Sequence, residues 1–383
     1  MSNAFALLEK LIAFPTVSRD GNIDLIRWVQ ELLSQAGIRS RLLPSKSGDR
    51  ANLFATVGPE GPGGVVLSGH TDVVPVDGQS WTSDAFCLQE RDGLFYGRGT
   101  ADMKGFVACA IEAVLGAVRK PLHTPLHLAL SYDEEIGCVG VRPMLEDLAK
   151  AGLKPDWVLI GEPTSMRVAT GHKGKLAARA TCCGHTVHSA LAPTGLNALH
   201  MAADFLSEIR ALQEETQEKG VRDQAFDIPY TTLHAGILKG GTALNIVPDS
   251  CVLDFEIRNV AEEDAQSFLE QLLEKATHQE RRLKERFPDA RIRIDVLNTY
   301  PGLETRADSP QVSKARALSG SNAPLKVAFG TEGGLFQQHF GVPVVVCGPG
   351  SMDQGHKADE FIARDQMERC RQMLARLVET HIE

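Results

Sequence analysis

The sequence predicts an α/β protein in which a mixed sheet flanked by helices is interrupted by an inserted α+β domain. The first observation is that four apolar, strand-like runs (NLFATVG, GVVLSGH, LHLALSY and DWVLIGE) alternate with helix-period segments over the first 174 residues. The second is a change in the pattern of apolar residues near residue 175, after which six predicted elements follow in the order βαββαβ. The third is the return of strand-like runs alternating with helix-period segments towards the end of the chain.

The inserted segment has the element order of the ferredoxin-like split unit. Its predicted strands KLAARATCCG, TTLHAGILKG, CVLDFEIRN and RIRIDVLNT surround two helices, one from GLNALHMAADFLSEIR and one from Glu262 to about Phe287. After it, PLKVAFG, VPVVVCG and the terminal helix RDQMERCRQMLARLVETHI resume the first pattern. We therefore expect one domain from residues 1–174 and 294–383, and an inserted domain from residues 175–293.

Composition and charge argue against some classes of binding partner. A formal net charge of −9 without a basic stripe argues against nucleic acid, since binding phosphates requires clustered positive charge. No apolar run is long enough to span a bilayer and the first residues do not form a secretory signal, so we expect a cytoplasmic protein without a membrane partner. The eight cysteines include no CxxC pair, which is typical of reduced core thiols. The expected partner is a small molecule.

Acids and histidines gather where the predicted strands end. SGHTD, DEE and GEPT each follow a strand, GRGTADMKG precedes a helix, and GPGSMDQGHKADE follows VPVVVCG. Because the carboxyl ends of strands in an open α/β sheet form the ligand crevice, these side chains can converge although they are far apart in sequence. The residues concerned are His70, Asp72, Asp102, Glu134, Glu135, Glu162 and His356.

So many carboxylates in one cleft require a compensating positive charge, because like charges and desolvation both disfavour the ionised forms. A divalent metal would supply it. Histidine nitrogen with Asp and Glu oxygen, and no clustered thiolate, suits Zn²⁺, Co²⁺ or Mn²⁺ in a catalytic site. Two histidines with several acids are enough for two ions bridged by one carboxylate.

Each motif alone also has a structural interpretation. Asp102 can be the N-cap of a helix that begins near Met103, and DEE can be a solvated strand exit. Asp72 can be a turn acid or a carboxylate that orients a metal-bound imidazole. These interpretations hold for single motifs and are weak for the set. GRGTAD is not a dinucleotide fingerprint, because Asp102 stands where that motif requires a third glycine.

The motifs GHTDVVP, GRGTADMKG, DEEIGCVG, GEPTS and GPGSMDQGHKADE, in this order, resemble the dinuclear-zinc aminoacylase and carboxypeptidase family over nearly the whole chain. The resemblance implies two divalent metal ions, zinc or alternatively cobalt. The implied ligands are His70 and Glu162 for one ion, Glu135 and His356 for the other, and Asp102 as the bridge. It also implies that Asp72 orients His70 and that Glu134 is the general base.

The inserted domain carries further residues implied by the resemblance. TVHSALAPTGLNAL implies His188 as an oxyanion donor that reaches the partner subunit's site, with His185 as the weaker alternative, so we expect a homodimer with a lid and dimerisation domain. TALNIVPDSCVLDFEIRN implies that Asn245 and Arg258 bind a substrate carboxylate. The alternative for Arg258 is a strand residue in an ion pair, although its planar fork suits bidentate recognition.

The segments IGEPTSM, VATGHKGKLAA and GPGSMDQGHKADEFI are most similar to the family's deacetylases, so we expect hydrolysis of a small N-acyl amino acid. Asp359 stands where desuccinylases usually have asparagine. A desuccinylase or carboxypeptidase is the alternative enzyme, because a sequence does not reveal pocket shape. A non-catalytic homologue is a further alternative, which the intact base and ligand positions disfavour. FGTEGGLFQQ, residues 329–338, is expected to form a loop on the substrate side.

Overall fold

The structure is a computed structural model and describes residues 3–382. The helices are α1 Ala4–Ile12, α2 Ile23–Gln35, α3 Gly105–Ala117, α4 Val141–Lys150, α5 Ala198–Lys219, α6 Ala265–Lys284, α7 Pro310–Ser319, α8 Gly333–Phe340 and α9 Arg364–Glu379. The strands are β1 Ser40–Pro44, β2 Ala51–Val57, β3 Val65–His70, β4 Gln89–Arg91, β5 Leu94–Tyr96, β6 Leu126–Ser131, β7 Trp157–Pro163, β8 Gly171–His172, β9 Lys175–Cys183, β10 Thr232–Gly240, β11 Ser250–Arg258, β12 Arg291–Tyr300, β13 Leu303–Glu304, β14 Val344–Gly348 and β15 Phe361–Ala363.

A six-stranded mixed sheet with the order β1-β2-β6-β3-β7-β14 is the centre of the first compact unit. Strands β6, β3, β7 and β14 run parallel to one another, while β1 and β2 add an antiparallel edge. Every residue of these four parallel strands is buried, because helices cover both faces of the sheet. Their carboxyl ends therefore lie side by side at one edge, and the predicted mixed α/β fold is confirmed.

The helices around this sheet are held by apolar faces. In α1, Leu7, Leu8 and Leu11 are buried in a core shared with α2, α3, α7 and α9, and burying one leucine stabilises the fold by about 1.5–3 kcal/mol. Helix α3 approaches β7 closely at Gly161, where an added Cβ would lie 1.9 Å from the Phe106 ring.

Among the described residues, no helix is both long and apolar enough to cross a membrane. All eight cysteines are free, as expected.

The second compact unit consists of His172–Gly302 and Ala328–Gly330. Its elements β9, α5, β10, β11, α6 and β12 have the predicted βαββαβ order, and they form an antiparallel sheet with the order β10-β11-β9-β12. Buried and partly exposed residues alternate along β11, which is the pattern of a sheet covered on one face. The sequence predicts residues 175–293 for the inserted domain, whereas this unit includes all of β12 and a separate short segment.

Candidate metal centre

His70, Asp102 and Glu162 meet at the carboxyl edge of the central sheet. His70 ends β3 and Glu162 lies near the end of β7, its parallel neighbour, so the pairing of these strands places both side chains together. His70 Nε2 lies 3.0 Å from Asp102 Oδ1 and 3.7 Å from Glu162 Oε1. All three residues are buried, and one ligand atom from each lies within 4.8 Å of the others, a spacing that can hold a metal ion.

Asp102 also belongs to a second group with Glu135 and His356. His356 Nε2 lies 3.1 Å from Asp102 Oδ2 and 3.1 Å from Glu135 Oε2. Asp102 thus presents Oδ1 to the first group and Oδ2 to the second. This second group also has one ligand atom from each member within 4.8 Å of the others. A carboxylate with its two oxygens directed at two sets of donors has the arrangement of a bridging ligand.

The turn that carries Asp102 is not a helix cap. Residues Thr100–Lys104 form a turn before α3, and Asp102 has φ −123° and ψ 94°, outside the helical region. The N-cap position of α3 is occupied by Lys104. The N-cap interpretation of Asp102 is therefore wrong, and the buried side chain is free to face both histidines.

Asp72 forms hydrogen bonds with residues of both ligand groups. His70 Nδ1 donates to the backbone carbonyl of Asp72 at 2.9 Å, while the Asp72 carboxylate lies farther away, at 3.6 Å. That carboxylate accepts a hydrogen bond from Ser18 Oγ at 2.7 Å. It also accepts from the backbone amides of Glu134 and Glu135, at 3.1 and 3.3 Å. The contacts to the two amides were not anticipated from the sequence.

The carboxyls of the centre are held in an environment that disfavours their charge. Burial, together with the charges of Glu135 and Asp102, raises the pKa of Glu134 to about 8. Burial and the charge of Asp102 raise the pKa of Glu135 to about 7, and burial raises the pKa of Glu162 well above its ordinary value. The side chain of Glu135 is only 7% exposed, so DEE is not a solvated strand exit. Bound cations would reverse these shifts.

The pKa values of the two histidines are raised, whereas burial alone lowers the pKa of an imidazole. Hydrogen bonds to Asp102 and Glu135 raise the pKa of His356 to about 10. Burial opposes the charged form of His70, but hydrogen bonds to Asp102 and Asp72 outweigh it and raise its pKa well above 6.5. Without metal, protons on the histidines and acids thus supply the positive charge that the acid cluster needs. The same positions can take metal cations in exchange for those protons.

A buried carboxylate oxygen without a hydrogen-bond partner also points to a bound cation. Glu135 Oε1 is buried and has no hydrogen-bond partner among the described residues, which is costly for a carboxylate oxygen. The donors of the two groups are histidine nitrogens and carboxylate oxygens, and cysteine belongs to neither group. This chemistry fits a catalytic site for zinc or a similar divalent ion better than a structural zinc site.

Buried carboxylates near the centre were missed by the sequence analysis. Glu332, in the segment FGTEGGLFQQ, accepts a hydrogen bond from Ser68 Oγ at 3.4 Å, and burial raises its pKa to about 7. Glu360, the last residue of GPGSMDQGHKADE, forms a fully buried ion pair with Arg98 at 2.6 Å. An acid flanked by glycines after a strand-like run was the available signal for Glu332. Glu360 gave no comparable signal.

The remaining predicted site residues lie in the second compact unit. His188 and Asn245 are exposed and belong to adjacent segments, because the amide of Ser189 donates to the Asn245 carbonyl at 2.9 Å. The amide of Ala190 donates to His188 Nδ1 at 3.1 Å. The roles inferred for His188 and Asn245 remain predictions.

Arg258 forms the ion pair foreseen as the alternative for this residue. Its guanidinium lies 3.1 and 3.2 Å from the two carboxylate oxygens of Glu256, and its Nη1 donates to the Tyr300 hydroxyl at 2.8 Å. These contacts fix the plane of the guanidinium. A substrate carboxylate would have to displace Glu256 or use the remaining N–H groups, so the role in substrate binding stays a prediction.

Residues 66–380 match the sequence pattern of Peptidase family M20/M25/M40. The chain belongs to this family. As an M20 member it is a metal-dependent hydrolase that acts on amide bonds, which confirms the predicted family and class of enzyme.

Relatives in the M20 family cover nearly the whole chain. Acetylornithine deacetylase of Pasteurella multocida is 34% identical over 380 residues, 97% of this chain and 96% of that protein. Acetylornithine deacetylase of Myxococcus xanthus is 35% identical over 379 residues, with the same two shares. The M20 family metallo-carboxypeptidase Sso-CP2 of Sulfolobus solfataricus has a TM-score of 0.79 at 19% identity and 100% coverage of both chains, a likeness of fold.

Proposed function

We propose that this M20 hydrolase removes the acetyl group from N2-acetyl-L-ornithine, producing L-ornithine and acetate for arginine biosynthesis. The observation that carries the hydrolytic chemistry is the pair of ligand groups that share Asp102, with Glu134 beside them. The two acetylornithine deacetylases at 34% and 35% identity support the choice of substrate. The sequence motifs favour the same branch of the family.

Two divalent ions fit the residues of the centre, and zinc is the proposed ion, with cobalt as a substitute. The proposed ligands are His70 and Glu162 for one ion, Glu135 and His356 for the other, and Asp102 for both. When bound, such ions lower the pKa of water toward about 7 and polarise the amide carbonyl. Nitrogen and oxygen donors without thiolate support this assignment.

Glu134 is the proposed general base. Cys138 Sγ donates to its Oε1 at 3.2 Å, which leaves Oε2 available for a proton. The hydrogen bonds from the backbone amides of Glu134 and Glu135 to the Asp72 carboxylate hold this turn in place, so that Glu135 can serve as a ligand while Glu134 does not. Glu134 accepts the proton of the attacking water and then gives it to the leaving amine.

His188 is the proposed oxyanion donor, contributed by the partner subunit of a cytoplasmic homodimer. Because Nδ1 of His188 accepts the Ala190 amide, a neutral ring carries its proton on Nε2, the form needed to stabilise an oxyanion. Such a donor contributes about 3 kcal/mol in other hydrolases. Asn245 and Arg258 are proposed to bind the substrate carboxylate.

Exposed apolar residues of the second unit support the proposed homodimer. Strand β10 is an edge of its sheet, and its Ile237 and Leu238 are 56% and 46% exposed. An exposed edge strand with apolar side chains is suited to pairing with another chain. Sedimentation of the purified protein tests this point, and a strictly monomeric active enzyme would contradict the role given to His188.

One experiment tests the proposed function as a whole. The metal content of the purified protein is measured, and the hydrolysis of N-acetylornithine, N-succinyl-diaminopimelate and a dipeptide is compared. We expect two ions per chain, the highest kcat/KM for N-acetylornithine, and activity that is lost on chelation and restored by Zn²⁺ or Co²⁺. A preference for the succinyl compound or the dipeptide would reject the deacetylase assignment, and metal-independent turnover would reject the mechanism.

A further inference from the structure

A buried arginine–glutamate pair lies between the two segments that supply Asp102 and His356 to the second ligand group. Arg98 Nη1 and Glu360 Oε2 are 2.6 Å apart, and both side chains are 1% exposed. Burying two charges is costly, and their attraction offsets this cost only where the geometry is good and further hydrogen bonds satisfy the remaining polar atoms. Arg98 Nε has no hydrogen-bond partner among the described residues, but both Nη atoms of Arg98 and both carboxylate oxygens of Glu360 have one. The other contacts of the pair therefore show what it holds.

On one side the pair binds the turn that carries Asp102. Glu360 Oε1 accepts hydrogen bonds from the backbone amides of Ala101 and Asp102, at 2.9 and 3.1 Å. The backbone carbonyl of Glu360 also accepts from the amide of Gly97 at 2.9 Å. Because the φ and ψ of Asp102 are not helical, these contacts and not a regular helix fix the peptide of the residue common to both ligand groups.

On the other side the pair binds the loop that carries His356. Arg98 Nη1 donates to the carbonyl of Lys357 at 3.2 Å, and Nη2 donates to Gln79 Oε1 at 2.5 Å. Gln79 in turn donates to the His356 carbonyl at 3.0 Å. His356 has a φ of 61°, in the left-handed region that few non-glycine residues adopt, so its backbone needs support from outside the loop.

We infer that Arg98 and Glu360 are positioning residues, which hold Asp102 and His356 at the spacing required to share one metal ion. This inference rests on the proposed function, because it takes Asp102 and His356 as ligands. His70 and Glu162 lie on buried strands and have no comparable dependence on the pair. The first ion depends on the pair only through Asp102 and keeps two ligands on the strands, so the second ion should respond more strongly to changes at Arg98 and Glu360.

The test measures metal binding to the purified chain by titration calorimetry and elemental analysis, with Zn²⁺ as the probe. Glu360→Ala is expected to weaken the binding of the second ion by about 10- to 100-fold, with a clearly smaller effect on the first ion. Turnover should return when Zn²⁺ is added in excess.

The chain offers a matched control. Glu112 and Arg371 form a partly buried bidentate pair between α3 and α9, with distances of 2.6 and 2.8 Å. Glu112→Ala removes an acid from this pair, and we expect it to bind both ions as the wild type does. A loss of the second ion in this control equal to that in Glu360→Ala would overturn the inference.

A double variant separates positioning from folding. Arg98→Met combined with Glu360→Leu leaves no unpaired buried charge, yet it removes the bonds to both segments. We expect the same selective loss of the second ion, with cooperative thermal unfolding retained. Wild-type affinity for both ions in the two Glu360 variants, or equal weakening of both ions, would overturn the inference alone. A wild-type protein without bound divalent ions would overturn the proposed function as well.

Discussion

The two ligand groups share Asp102 but are built in different ways. His70 and Glu162 lie at the ends of adjacent parallel strands, and their side chains are 1% and 4% exposed. Glu135 and His356 lie on loops, and the side chain of His356 is 45% exposed. Backbone pairing within the sheet places the first group, whereas side-chain contacts from Asp72, Arg98 and Glu360 place the loops of the second. The second group should thus depend more on residues that are not ligands.

The largest expected effect separates two neighbours on the same loop. Glu134→Ala should lower kcat by about 10²–10⁴-fold and leave both ions bound, since general base catalysis is lost and no ligand is removed. Glu135→Ala should instead release the second ion and keep the first. Steady-state kinetics with metal analysis checks both. Near-native turnover of a fully metal-loaded Glu134→Ala would show that the assigned role is wrong.

The contrast in burial predicts unequal effects on the stability of the metal-free protein. His70→Ala leaves buried carboxylates without a partner and should lower the free energy of unfolding by about 3–5 kcal/mol. His356 is nearly half exposed, so water screens its interactions with the acids and His356→Ala should cost less than His70→Ala. Urea unfolding in the presence of a chelator measures both values. Equal losses would mean that the two groups do not differ as their burial indicates.

A variant in the other compact unit should affect turnover and spare both ligand groups. His188→Ala is expected to lower kcat by about 10²–10³-fold, the usual cost of losing one oxyanion donor. Both ions should remain, because His188 belongs to neither group. His185→Ala is the matched control and should keep most of the activity. Loss of metal from His188→Ala would instead indicate a ligand or a structural residue.

The smallest expected effect is a pH dependence of the metal-free protein. The pKa values of about 10 for His356, about 8 for Glu134 and about 7 for Glu135 all lie above the ordinary values of 6.5 and 4.5. At these three groups the folded state therefore binds more protons, so their contribution to stability falls as the pH rises from the ordinary value of each group up to its raised value. Burial lowers the pKa values of Lys104, His127 and His172, which contribute in the opposite sense.

Thermal unfolding between pH 5 and 9, measured once with a chelator and once with Zn²⁺, should show this decline as a difference between the two series. Bound Zn²⁺ should reverse it, since metal ions take the place of protons at the same donors and bind more tightly as the pH rises. A pH dependence that is the same with the chelator and with Zn²⁺ would contradict the arrangement of charges described above.

The convergence of His70 and Glu162 could be predicted from the sequence because it follows from topology, whereas their grouping with Asp102 as ligands of one ion was implied by the family resemblance. His70 and Glu162 end strands that lie next to each other, and any parallel sheet brings such ends together. Sequence analysis could not predict that the Asp72 carboxylate binds the amides of Glu134 and Glu135, because the path of a loop is not encoded in a period of apolar residues. Arg98 and Glu360 were missed for the same reason, since they meet only after the chain has folded.

The contact between Cys138 and Glu134 has a practical consequence for engineering. Asp72 anchors the backbone of Glu134, the proposed general base, together with that of Glu135, a proposed metal ligand. Substitutions at Asp72 or Ser18 should therefore alter metal affinity and catalysis at once. Cys138 contacts the carboxylate of Glu134 directly through its thiol. Cys138→Ser replaces that thiol by the stronger hydroxyl donor of serine. It is therefore a way to change the basicity of the Glu134 carboxylate while the metal content of the protein stays the same.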